Sequence, residues 1–190
     1  MLLIVIGLFA TGASLGRDMG LDWVGRLSGG RDELVLEPSR PVRIEIPSID
    51  VDAPVHPVGL AADGSIAVPS LDRHEETGWY DGGPTPGQVG PAIIVGHNDT
   101  RSGPSVFHKV PQLRRGARIK VIRADDSVAV FEVTSVERFD KDGLPAERVY
   151  ADFSRPGLRL ITCGGEFVGG SIGYSDNVIA FASLVSARTR

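Results

Sequence analysis

Two residues in this chain have the type and setting that covalent chemistry needs: Cys163 and His97. Cys163 is the only cysteine among 190 residues, so no internal disulfide can form. A lone thiol is either a small buried hydrophobe or a reactive group. This one ends the apolar run Leu158-Arg159-Leu160-Ile161-Thr162 and is followed by Gly164 and Gly165. His97 follows a second apolar run, Ala92-Ile93-Ile94-Val95, after the single residue Gly96. A thiol of ordinary pKa, about 8.5, is mostly protonated at neutral pH. A neighbouring imidazole takes that proton or stabilises the thiolate, and later protonates a departing amine. Glycines behind the sulfur let substrate come close, and backbone amides there, Gly164 first, are candidates for holding an oxyanion. The pair therefore suits acyl transfer through a thioester. His56, His74 and His108 lie in less organised contexts and carry no assignment. His97-x-Asp99 is half of a metal pattern with no second ligand cluster, so neither a metal nor a cofactor is expected.

Both residues need rigid strand ends to hold them, and the surrounding pattern supplies strands. Val42-Arg43-Ile44-Glu45-Ile46 alternates apolar and charged residues, as a half-buried strand does. Val51 to Val58 is a second extended run, and Pro54 and Pro57 put it at an edge. Ser65 to Val68 reads as a third strand after a turn at Asp63-Gly64. Ala92 to Val95 is apolar throughout, the mark of a strand buried on both faces. Arg118 to Arg123 and Val128 to Phe139 read as a hairpin, Leu144 to Tyr150 as a short helix, and Leu158 to Thr162 and Val178 to Val185 as the last strands. Gly and Pro, 24 and 13 in number, punctuate these runs. The expectation is an all-β domain of about eight strands, closed so that few edges are exposed.

The domain occupies residues 41–187, after a mixed linker over 17–40. Residues 1–16 are apolar and uncharged. That run falls a little short of the roughly 20 residues of a bilayer span and lacks a basic flank before it. Three readings stay open for it: a signal-anchor that begins further upstream, a cleaved signal peptide, or a buried element of the domain. The first two put the domain outside the cytoplasm. The net charge of −4 excludes a nucleic-acid reader that relies on a basic face.

The ordered motifs resemble the sortase family. Leu160-Ile161-Thr162-Cys163 is similar to the sortase strand that presents the nucleophile, and Val95-Gly96-His97 to its histidine motif, in the same chain order. Gly78-Trp79-Tyr80, Gly83-Pro84-Thr85-Pro86-Gly87, Gly96-His97-Asn98-Asp99, Gly103-Pro104-Ser105-Val106-Phe107, Cys163-Gly164-Gly165-Glu166-Phe167 and Asp176-Asn177-Val178 resemble the class F branch. The resemblance covers about residues 40–186. It implies an eight-stranded sortase-type β-barrel with short helices, preceded by the apolar segment. It also implies a membrane-bound cysteine transpeptidase whose catalytic domain is extracytoplasmic. Its partners would be secreted proteins with a C-terminal sorting signal of the Leu-Pro-x-Thr-Gly kind, and a peptidoglycan precursor or another amine as acceptor. L,D-transpeptidases resemble the chain less, since position 161 is Ile where they carry His. Papain-like cell-wall peptidases place the cysteine before the histidine.

One departure stands out. Sortases carry a third catalytic residue, an Arg, near the start of the last strand, and Tyr174-Ser175-Asp176-Asn177-Val178 contains none. Arg101, just past His97, and Arg159, on the cysteine strand at an even offset, are the stand-ins to examine. The same gap motivates the alternative of a sortase-fold binding protein without turnover.

Overall fold

A computed structural model describes residues 34–169 and 173–189. The apolar segment 1–16 and the linker up to residue 33 lie outside the described residues. The elements are β1 (Pro41–Ile46), β2 (Val51–Val58), β3 (Thr77–Tyr80), β4 (Gly90–Val95), the short pair β5 (Asp99–Thr100) and β6 (Gly103–Pro104), β7 (Arg118–Arg123), β8 (Ser127–Asp140), α1 (Ala146–Tyr150), β9 (Pro156–Gly169) and β10 (Gly173–Thr189). Eight of the strands close into a barrel in the order β1-β2-β3-β4-β9-β10-β8-β7. Most pairs are antiparallel, while β2 with β3 and β4 with β9 run parallel.

Alternation along the strands fills the barrel. Ile44 and Ile46 of β1, Ile94 of β4, Val121 of β7, Phe131 of β8, Leu158 and Leu160 of β9 and Ala180 of β10 meet in one buried cluster. Each buried side chain of the larger kind contributes roughly 1.5–3 kcal/mol. With the interior taken up by side chains, chemistry is left to the outer surface and the strand ends. The alternate residues of β9 and β10 face outward, where Ile161, Ile179, Phe181, Phe139 and Leu144 pack with Val149 of α1 into a second, smaller cluster. By the same alternation Cys163 lies on this outer face.

The expected strands are present with three differences. Ser65–Val68 is not a strand; Ile66 makes only an isolated bridge with Leu60. The strand in that part of the barrel is β3, a four-residue stretch whose Gly78 is pressed against Val58 and Val95. β2 pairs on both sides, but β1 takes Val51–Pro54 and β3 takes Val55–Val58. Each half of β2 is thus an edge on one side, which is how it accommodates two prolines. Finally, residues 34–40 of the presumed linker lie on the barrel. The Leu36 amide donates to the Gly87 carbonyl at 2.9 Å, and Ser39 binds Thr85 Oγ1 at 3.1 Å. The buried Arg123 guanidinium donates to the Glu37 carbonyl and pairs with Asp125 at 3.3 Å.

Candidate active site

The parallel pairing of β4 with β9 sets the site. Val95 pairs with Ile161, and the Gly96 amide continues the ladder by donating to the Ile161 carbonyl at 3.2 Å. His97 and Cys163 each lie two residues on from that pair, His97 just past the end of β4 and Cys163 within β9. Gly96 is required by packing: a Cβ there would lie 2.7 Å from the Phe107 ring. Phe107 is 0% exposed, and its amide donates to the His97 carbonyl at 2.9 Å. The Ser105 amide does the same for Asn98 at 3.0 Å. The turn carrying His97 is therefore clamped from below and from the side.

The imidazole is oriented by Pro69. His97 Nε2 donates to the Pro69 carbonyl at 2.6 Å. A neutral ring held this way keeps its lone pair on Nδ1, the nitrogen left to exchange a proton. Among the described residues no hydrogen bond joins His97 to Cys163.

Cys163 is half-buried and sits opposite Asn177 of β10. Burial pushes its thiol above the ordinary range; the Lys141 ammonium pulls it back down, and the Asp99 carboxylate adds to the rise. Alkylation of Cys163 by iodoacetamide in the full chain should therefore rise with pH to a midpoint above that of a free thiol, about 8.5. A midpoint at or below that of free cysteine would contradict this resting geometry.

Two side chains absent from the sequence-based candidates complete the surroundings. Tyr174 donates its phenol to the Asp99 carboxylate, which, with burial, raises the phenol's pKa. The contact ties the β5–β6 turn behind His97 to the β9–β10 hairpin behind Cys163. Phe167 packs edge-on against Tyr174, with ring centroids 5.3 Å apart. The signal for both was in the motifs, since each flanks a candidate residue, but neither spacing by itself points to a contact across 75 positions.

The glycines after Cys163 have a structural reason as well. A Cβ on Gly164 would meet Val178 at 2.6 Å, and one on Gly165, at φ +81°, would meet Ser175 Oγ at 2.2 Å. They let the hairpin close where Gly165 and Glu166 of β9 oppose the single residue Ser175 of β10, a bulge between the Tyr174–Phe167 and Asp176–Gly164 pairs. Ser175, in the region where an Arg was expected, is used by this bulge. Its hydroxyl donates to Asp176 Oδ1 at 2.6 Å and accepts from the Glu166 amide at 3.1 Å.

The arginine stand-ins are placed elsewhere. Arg101 is exposed on the turn between β5 and β6. Arg159 shares the outer face with Cys163, but four residues of strand separate them by about 13 Å. It is 5% exposed, stacks 4.8 Å over the Phe181 ring and reaches the Leu158 carbonyl and Asp152. Its role is to anchor the segment before β9. No group of three or more His, Cys, Asp and Glu able to hold a metal occurs among the described residues.

The expected strand end at Cys163 is not found, because pairing with β10 carries β9 on to Gly169. A mixed eight-stranded barrel with a cysteine on one strand and a histidine just past the end of the parallel strand beside it is the frame of the cysteine transpeptidases. Residues 44–185 match the sortase domain family, and the chain belongs to that family. Solved structures agree in fold. Sortase C of Streptococcus pneumoniae superposes with a TM-score of 0.59 at 18% identity, covering 80% of this chain and 72% of that one. Sortase C-1 of Actinomyces oris gives 0.59 at 23% identity, covering 77% and 75%. Sortase A of Listeria monocytogenes gives 0.59 at 16% identity, covering 79% and 90%. No curated protein sequence matches the chain.

Proposed function

We propose that this sortase is a class F enzyme that cleaves a cell-wall sorting signal of the Leu-Pro-x-Thr-Gly kind and transfers the protein to an amine. Cys163 is the nucleophile. Its proton passes to His97, and the sulfur attacks the threonine carbonyl carbon. The oxyanion collapses, the Thr–Gly bond breaks, and His97 returns the proton to the departing glycine amine. An acceptor amine, from a peptidoglycan precursor or another protein, then attacks the thioester and gives its proton to His97 as the Cys163 thiolate leaves, and that proton restores the resting thiol. The Gly164 amide is the backbone candidate for the oxyanion; Arg101 would have to swing in from its turn. The N-terminal apolar segment holds the domain at the outer face of the membrane. Among the described residues no helix is long and apolar enough to cross one.

What supports this reading is the β4–β9 register, which pairs Val95 with Ile161 two residues before His97 and Cys163. Incubating the full chain with a sorting-signal peptide should yield a mass increase equal to the acyl fragment, mapped to Cys163. A second reading, a sortase-fold binding protein without turnover, is favoured by the raised thiol and by Ser175 in the arginine region. It predicts peptide binding with no adduct at any pH.

A further inference from the structure

The site lacks an arginine where the family has one, yet a buried thiolate still needs a positive charge near it. The strand register identifies a source. Cys163 of β9 pairs with Asn177 of β10, and Asn177 pairs with Phe139 of β8. These three residues form one row, and their side chains share the outer face. One step further, Asp140 pairs with Asp176. Asp140 closes β8 at φ −55° and ψ 142°, and the turn Lys141–Gly143 follows it. Lys141 opens that turn two residues past Phe139, beyond the end of the strand row that holds Asn177 and Cys163. Its stem of four carbons reaches across the width of a strand.

We infer that Lys141, at the turn after β8, is the cation of the active site, a positioning charge that holds the Cys163 thiolate in place of the absent arginine. Its ammonium already lowers the thiol's pKa in the resting structure, against burial. Among the described residues, the other titratable groups that act on or with the sulfur are Asp99 from β5 and Tyr174 from β10, and His97 follows β4, the strand parallel to β9. Asp99 opposes Lys141, and its carboxylate is engaged by the Tyr174 phenol. Arg138 and Asp176, 3.8 Å apart, stand with Asp140 in rows that alternate with that of Cys163 and face the other way. A lysine is a compact point charge without the planar fork of a guanidinium. It can stabilise a thiolate from several ångströms away but does not offer the paired donors an oxyanion would use.

The inference rests on Cys163 as the nucleophile, but its test does not depend on transpeptidation. Iodoacetamide alkylation of Cys163 in the full chain, followed by mass over roughly pH 6 to 10, reads the thiolate fraction directly. In Lys141→Met the midpoint should move to higher pH, and the rate near neutral pH should fall roughly three- to tenfold. Lys141→Arg keeps the charge and should stay within about twofold of the parent. Lys141→Gln serves if the methionine variant does not fold. A folded Lys141→Met or Lys141→Gln chain with an unmoved midpoint overturns the inference, as does an equal upward shift in Lys141→Arg. A moved midpoint with no sorting-signal adduct refutes the transpeptidase and leaves the lysine assigned. An adduct with an unmoved midpoint does the reverse.

Discussion

Cys163→Ala should leave a folded chain that forms no acyl-enzyme and transfers nothing. The substitution removes one sulfur from a half-buried position, at a cost on the order of 1 kcal/mol. The neighbouring ladder is unaffected, because Asn177 pairs with the backbone of residue 163 and not with its thiol. The chemistry has no second route. No other cysteine exists to take over, and a histidine without its nucleophile can only assist hydrolysis. The transfer rate should fall by about 10⁴-fold or more, leaving whatever the binding groove and oxyanion donors supply alone. Mass analysis of the peptide reaction and circular dichroism of the variant check the two halves of the claim. An adduct on the alanine variant would move the nucleophile elsewhere.

The largest expected stability effect lies under the histidine. Phe107 is fully buried within the main cluster, its ring touches the position of Gly96, and its amide holds the His97 carbonyl. Phe107→Ala should cost about 3–5 kcal/mol, from lost burial and the cavity left behind. In a domain of this size that lowers the melting temperature by roughly 10 °C. Phe107→Leu should lose less than half as much. The alanine variant should also lose activity before it unfolds, because the floor of the His97 turn is gone. Thermal unfolding followed by circular dichroism, with peptide transfer measured well below the transition, separates the two effects. A loss under about 1 kcal/mol would mean that the turn is held from elsewhere.

Much of the barrel was legible because its strands obey simple periods. Val42–Ile46 alternates, Ala92–Val95 is apolar throughout, and both sit where the patterns put them, as β1 and β4. β3 was missed because Thr77-Gly78-Trp79-Tyr80 is short and contains a glycine that weakens any strand pattern. Only its pairing with β2 and β4 makes it a strand. The reverse error at Ser65–Val68 has the same origin: local β character without a partner gives one bridge and no more. In the candidate site, Cys163 and His97 could be found because each ends an apolar run next to glycine. Lys141 and the Asp99–Tyr174 contact could not, since both arise from register across strands far apart in sequence. Arg159 shows the limit of parity. The even offset correctly put it on the face of Cys163, but parity carries no information about distance along the strand.

The parallel pairing of β4 with β9 also governs when the protein becomes competent. β9 follows all but one of the described barrel strands in the chain, and it must take its place between β4 and β10 to close the barrel. Until that happens, residues 97 and 163 are joined only through the long stretch of chain that carries β7, β8 and α1, and bringing such distant positions together is slow. The native pH dependence of Cys163 reactivity should therefore appear only after that assembly step. In a refolding experiment, secondary structure should return before thiol reactivity acquires its native pH dependence, and the lag between them measures the closing of the barrel.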